Sequence, residues 1–231
     1  IMQALAKDYQ VIAFDCRGHG LSGKPHTPDA YGKELVNDVI RLMDHLNIQK
    51  AHVAGYSMGG FTALKLATMY PERLRSVAVC AAGWEDPTGE KSNALTSIVD
   101  SLSEKHSFKP LFQTLVPDGQ KPPYWQDPFL DWAIQHFNDV DALLALMTSF
   151  RELAVTEAEL KANTVPVCGI VGEFDGLRPG AERLLGVMPH YEMALVKGGD
   201  HMSTPGNPAF RQALSEFFSK HREGSTVDKT I

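Results

Sequence analysis

The sequence predicts an α/β fold, and three observations predict it. Short apolar runs alternate with segments whose apolar residues recur at helical spacing. One serine sits between glycines where such a run turns into a helix, in Gly55-Tyr56-Ser57-Met58-Gly59. A block in the middle of the chain, residues 84 to 156, reads as helices without a convincing strand. Alternation of strand and helix argues for a mostly parallel sheet with helices on its faces.

The strand-like runs are Gln10–Phe14, Ala51–Ala54, Ser76–Ala82, Val165–Val171 and Met193–Val196. Each is short, and each lies next to turn-forming residues or a helical run, as a strand buried on both faces requires. Between them, Ala30 to Leu46 places Leu35, Val39, Leu42, Met43 and Leu46 on one stripe. Phe61 to Tyr70 reads as a helix stopped by Pro71. Ala181 to Val187 is a shorter one, and Phe210 to His221 aligns Phe210, Leu214, Phe217 and Phe218. The expected division is a core of residues 1–83 and 157–231 with a helical insert of residues 84–156. The insert shows helical patterns at Leu95–Leu102, Phe108–Leu115 and Phe129–Phe150, separated by prolines. All three tryptophans, Trp84, Trp125 and Trp132, fall in it. The tail Gly224–Ile231 is mostly polar and reads as frayed.

Composition bounds the function. The chain has 231 residues, 43% hydrophobic and 22% charged, enough for a sizeable core. Its formal net charge of −6, with no Lys/Arg cluster, argues against a nucleic-acid partner. No apolar run approaches the length of a membrane span, and no leader is visible. Cys16, Cys80 and Cys168 lie beside or inside apolar runs without metal-ligand spacing, so they read as buried thiols of a reducing compartment, by default the cytoplasm.

The chemistry gathers around Ser57. A strand-turn-helix carrying G-x-S-x-G is so tight that its serine takes a strained conformation and projects into the open. Gly55 and Gly59 are expected to let helix and strand approach, with Gly60 adding room. The bare pattern arises by chance in roughly one chain in ten of this length, so its context matters. A hydroxyl needs a base to become a nucleophile, and the base is usually a histidine held by a carboxylate. Of nine histidines, His201 lies in a turn, Gly198-Gly199-Asp200-His201-Met202, between a strand-like run and the last helix. His52 reads as a strand residue, His45 and His136 as helix residues, and His19 as part of a loop at the mouth of the site. For the acid, Asp175 follows a strand in VCGIVGEFDG. Glu173 and Asp200 are less suitably placed, and Glu85 and Asp86 are held in reserve.

The order Ser57, Asp175, His201 and four motifs resemble the α/β-hydrolase fold family, in its lid-bearing, esterase-like branch. The motifs are DCRGHGLS at 15–22, GYSMGG at 55–60, VGEFDG at 171–176 and GGDHM at 198–202. The resemblance runs from about residue 5 to residue 220. It implies acyl transfer to water through a Ser57–His201–Asp175 triad, with the N–H of Met58 in the oxyanion hole. It implies a small-molecule ester substrate held by lid aromatics, for which Trp84, Trp125 and Trp132 are the candidates, and no metal or organic cofactor. Family members begin with about three more strands and an oxyanion loop. The resemblance therefore implies an N-terminally truncated chain, with Gln10–Phe14 and Ala51–Ala54 facing a gap, unstable or inactive alone. Epoxide hydrolases and haloalkane dehalogenases of this fold use Asp where Ser57 stands. Carbon–carbon bond hydrolases often carry Trp after the histidine, where Met202 stands; aminopeptidase relatives often carry Trp where Met58 stands. Carbon–carbon hydrolases, cofactor-free haloperoxidases and a low-turnover receptor are the alternatives.

Overall fold

The computed structural model describes residues 2–84, 92–121 and 128–222. Four strands form one all-parallel sheet in the order β1 (Ala51–Tyr56), β2 (Leu74–Cys80), β3 (Val167–Gly172), β4 (Tyr191–Val196). A parallel sheet needs crossover connections, and helices supply them. In chain order the helices are α1 (Met2–Leu5), α2 (Lys33–His45), α3 (Met58–Met69), α4 (Ser92–Lys105), α5 (Lys109–Thr114), α6 (Pro128–Phe137), α7 (Val140–Ser149), α8 (Glu157–Lys161), α9 (Arg178–Leu184) and α10 (Pro208–Lys220).

One face of the sheet packs against α3 and α9, in a core that includes Leu64, Leu66, Val77, Val79, Val167 and Leu184. The other face packs against α10, whose Phe210, Leu214, Phe217 and Phe218 meet Ala78, Cys80, Cys168 and Ile170. β3 is buried along its whole length, which is why it reads as an unbroken apolar run. Cys80 and Cys168 are buried free thiols, and Cys16 is half-buried.

The run Gln10–Phe14 departs from the expectation. It has no regular secondary structure and belongs to no ladder, and Ile12 and Phe14 are 40% and 43% exposed. β1 pairs with β2 alone and forms an edge of the described sheet. An apolar run becomes a strand only when a neighbour accepts its backbone hydrogen bonds, and local pattern cannot supply the neighbour.

Between β2 and β3, the described residues form helices and no strand. They do not build a separate core: Ile98, Leu102, Phe108, Leu143 and Leu146 join the cluster that contains α3. The expected helix over Phe129–Phe150 is two helices. The break falls at Asn138-Asp139, where the Asp139 carboxylate caps α7 by accepting from the Ala142 N–H at 3.0 Å. The two ends of this block are tied together. The Trp84 indole N–H donates to the Val155 carbonyl at 2.9 Å. Buried Lys65 on α3 donates to the Ala154 carbonyl at 3.1 Å and to Glu159 Oε1 at 2.9 Å. Glu159 also closes a capping box with Thr156 at the start of α8. Partial burial works against its charge, but the Thr156 N–H and Lys65 outweigh it and bring its pKa down to about 2.

A further tie joins the loop before α2 to α7. His26 Nε2 donates to Asp139 Oδ2 at 2.9 Å, and Asp141 lies close by. The hydrogen bond to Asp139 raises the His26 pKa, and the same bond with the Ala142 N–H lowers that of Asp139. A raised histidine stabilises below its unfolded pKa, about 6.5, and that contribution is lost as pH rises through the folded value. A lowered aspartate stabilises above its unfolded pKa, about 3.9, and loses its contribution on acidification. His26→Ala is therefore expected to lower Tm most between about pH 4 and 6.5, and to have no effect near pH 9. Thermal melts across that range check it; a pH-independent difference would refute the ion pair. No described helix is long and apolar enough to cross a membrane.

Candidate active site

In a parallel sheet the C-terminal ends of all strands point the same way, and loops there converge. Ser57 follows β1, Asp175 follows β3 and His201 follows β4. The Ser57 Oγ–H donates to His201 Nε2 at 3.0 Å, and His201 Nδ1–H donates to Asp175 Oδ2 at 2.9 Å. The carboxylate accepts only, so it fixes which ring nitrogen carries the proton. The Asp175 side chain has no exposed surface and that of His201 is 5% exposed. Asp175 Oδ1 accepts from the Leu177 N–H at 2.9 Å, which anchors the carboxylate from its other side.

The elbow is built by close approach. Ser57 has φ 55° and ψ −117°, a conformation that costs a non-glycine residue of order 1–3 kcal/mol. The surroundings hold it there. Its N–H donates to the Cys80 carbonyl of β2 at 2.9 Å, and its own carbonyl accepts from Gly60 and Phe61 as α3 begins. A side chain at Gly55 would meet the Gly59 carbonyl oxygen at 1.9 Å. At Gly60 it would meet Ala82 Cβ at 2.6 Å and the Cys80 carbonyl oxygen at 2.7 Å, whereas at Gly59 it would meet nothing within 4 Å. The crowded pair is therefore Gly55 and Gly60, not Gly55 and Gly59. Gly60 is the helix residue that faces β2; Gly59 contributes its backbone, not its lack of a side chain. Met58 opens α3, where the first N–H groups have no intrahelical acceptor.

Neighbouring acids do other work. Glu173 Oε2 accepts from the Gly198 N–H at 2.8 Å. Asp200 Oδ1 accepts from the Met202 and Ser203 N–H groups and the Ser203 hydroxyl, shaping the turn that carries His201. The Ser203 N–H leads in lowering the Asp200 pKa. Glu85 and Asp86 lie outside the described residues. His52 bonds to Ser76 Oγ on the adjacent strand at 2.8 Å; burial, with Arg75 second, lowers its pKa to about 4, so it is neutral and structural.

Above Ser57 opens a cavity of about 1160 Å³. Met58, Phe61 and Leu64 of α3 form part of its wall, with Leu95 and Ile98 of α4 and Leu143, Leu146 and Met147 of α7. Trp84, Phe108, Leu111 and Phe150 add to the apolar surface, and His19 and Arg151 add polar groups. Of the three tryptophans, Trp84 lines this cavity. Trp132 does not: it is 50% exposed on α6 and stacks on His136 at 5.0 Å. Trp125 lies outside the described residues. Tyr56, which the sequence reading passed over, reaches His201. Its hydroxyl donates to the His201 carbonyl at 2.5 Å. The available signal was its position, at the end of β1 and one residue before Ser57.

Comparison with known proteins bears on the fold. The family model for the alpha/beta hydrolase fold matches residues 1–164. A relative in Pseudomonas syringae pv. syringae, named "Putative carbamate hydrolase RutD", is 28% identical over 227 residues, spanning 93% of this chain and 85% of the relative. The enol-lactonase of Burkholderia xenovorans superposes with a TM-score of 0.73 at 22% identity, covering 94% of this chain and 84% of that one. A thermophilic esterase from Thermogutta terrifontis gives 0.72 at 22% identity, covering 95% and 83%. A family match that starts ahead of the serine elbow and runs through the helices after β2, joined to structures that share the fold of the whole sheet, makes this chain a member of the alpha/beta hydrolase fold family.

Proposed function

We propose that the chain is a serine hydrolase that cleaves small to medium apolar carboxylic esters through an acyl-enzyme. The observation that carries this reading is the unbroken hydrogen-bond chain from Ser57 Oγ through His201 to buried Asp175, opening onto an apolar cavity. His201 Nε2 takes the Ser57 proton as Oγ attacks the ester carbonyl. Asp175 holds the tautomer and stabilises the imidazolium, which then protonates the leaving alcohol. A water activated by the same histidine releases the acid. The Met58 N–H, at the positive end of α3, donates to the oxyanion.

The helical block of residues 84–156 acts in this reading as a lid. It supplies much of the apolar wall, with Trp84 at its hinge and against the acyl or alcohol group. A cavity somewhat above the usual 300–1,000 Å³ of small-molecule sites suits a medium-sized ester. Its lining offers little to a highly charged substrate. The name of the Pseudomonas syringae relative makes aryl carbamates worth including beside aryl esters.

The test is labelling by an alkyl fluorophosphonate, followed by mass mapping of the modified peptide. The expected result is a single adduct on Ser57, with labelling slowed by a slowly hydrolysed aryl ester. An adduct elsewhere, or none, would overturn the assignment.

A further inference from the structure

Tyr56 touches His201 in two ways. Its hydroxyl donates to the His201 main-chain carbonyl at 2.5 Å, and its ring lies against the imidazole with centroids 5.4 Å apart and planes tilted by 53°. On its other side the ring meets Phe210 of α10 edge-on at 5.9 Å. Phe210 is buried in the core, so the ring is backed by a rigid surface. Other contacts of this loop fix neighbours of His201: the Gly198 N–H on Glu173, the Gly199 carbonyl on the Phe174 N–H, and the Met202 and Ser203 N–H groups on Asp200. The Tyr56 bond reaches residue 201 itself.

The covalent position of Tyr56 gives that contact its meaning. It is the last residue of β1, and Ser57 is next. The end of one strand therefore sets the nucleophile and clamps the loop of the base. We propose that Tyr56 is a positioning residue, holding His201 so that Nε2 stays within hydrogen-bond reach of Ser57 Oγ. Burial, with the negative charge of Asp175 second, raises the phenol's pKa, so the hydroxyl keeps its proton and its role as donor through the neutral range.

This inference rests on the serine-hydrolase reading, and its test separates the two. Tyr56→Phe keeps the ring and removes the hydroxyl. Rates on an aryl ester are measured per active site titrated with fluorophosphonate, so any unfolded fraction drops out. The expected result is a kcat per site lower by about 10-fold, with KM changed by less than about twofold, because misplacement of a catalytic group by a fraction of an ångström acts on the reacting geometry and not on the cavity. The downfield proton resonance of the His201–Asp175 hydrogen bond is expected to broaden, as a loosened loop lets it exchange with water. An unchanged kcat per site, or a loss of Tm with kcat per site and the resonance unchanged, would overturn the positioning role while leaving the serine mechanism standing. If the parent chain carries no fluorophosphonate adduct on Ser57, the mechanism itself falls, and the Tyr56 role with it.

Discussion

Ser57→Ala is expected to lower kcat by about 10⁶ and Asp175→Asn by about 10⁴, each with Tm near that of the parent. The two losses differ because the residues do different things. Ser57→Ala deletes the atom that forms the acyl-enzyme in the proposed mechanism and relieves nothing of the φ 55° strain at that position, so folding changes little. In Asp175→Asn the amide oxygen still accepts from the Leu177 N–H, but the amide nitrogen then faces His201 Nδ1. A donor there forces Nδ1 to accept, moves the ring proton to Nε2 and turns a hydrogen toward Ser57 Oγ. The imidazole stays in place in the wrong tautomer and does not serve as base. Steady-state kinetics on aryl esters, beside thermal melts, check both. A Ser57→Ala enzyme within tenfold of the parent would remove Ser57 as nucleophile. An Asp175→Asn enzyme with full activity would remove the tautomer argument.

Much of this site was legible because each of its residues carries a local mark. Ser57 lies between glycines at a junction of strand and helix. Asp175 and His201 follow apolar runs, in turns rich in glycine. In a parallel sheet those marks suffice, since the C-terminal ends of β1, β3 and β4 come together. The break between α6 and α7 was marked as well, by Asn138-Asp139, a helix-capping signal that a long apolar periodicity obscured. Other features have no local mark. Whether Gln10–Phe14 is a strand depends on a ladder partner distant in sequence. Whether Trp84 or Trp132 lines the cavity depends on the path of the chain after β2 and on which way α6 turns its face. The clamp of Tyr56 on His201 spans 145 residues and follows from the path of the loop after β4.

The elbow glycines show the same division between pattern and geometry, and they yield the other large effect. Gly55→Ala is expected to cost about 3 kcal/mol or more, and to abolish activity in whatever fraction still folds. The added carbon would lie 1.9 Å from the Gly59 oxygen and 2.2 Å from its carbonyl carbon, and both are backbone, so no rotamer change makes room. Relief requires the start of α3 to move away from β1. That movement breaks the conformation that aims Ser57 at His201. At about 2–4 °C per kcal/mol for a chain of this size, Tm is expected to fall by about 6–12 °C. Gly60→Ala meets Ala82 Cβ and the Cys80 carbonyl at 2.6 and 2.7 Å, a milder conflict expected to cost about 1–3 kcal/mol. Gly59→Ala is the control that separates a crowded glycine from a merely repeated one. It meets nothing within 4 Å and its φ is outside the left-handed region. An alanine there removes backbone freedom from the unfolded chain and is expected to leave stability unchanged or raise it by up to about 1 kcal/mol. Thermal melts of the three variants, with fluorophosphonate labelling of the folded protein, decide the matter. If Gly59→Ala is the damaging change and Gly60→Ala the tolerated one, the packing of α3 on β2 described above is wrong. If the order holds, the tightness of the turn comes from helix against sheet at Gly60, and from strand against helix backbone at Gly55.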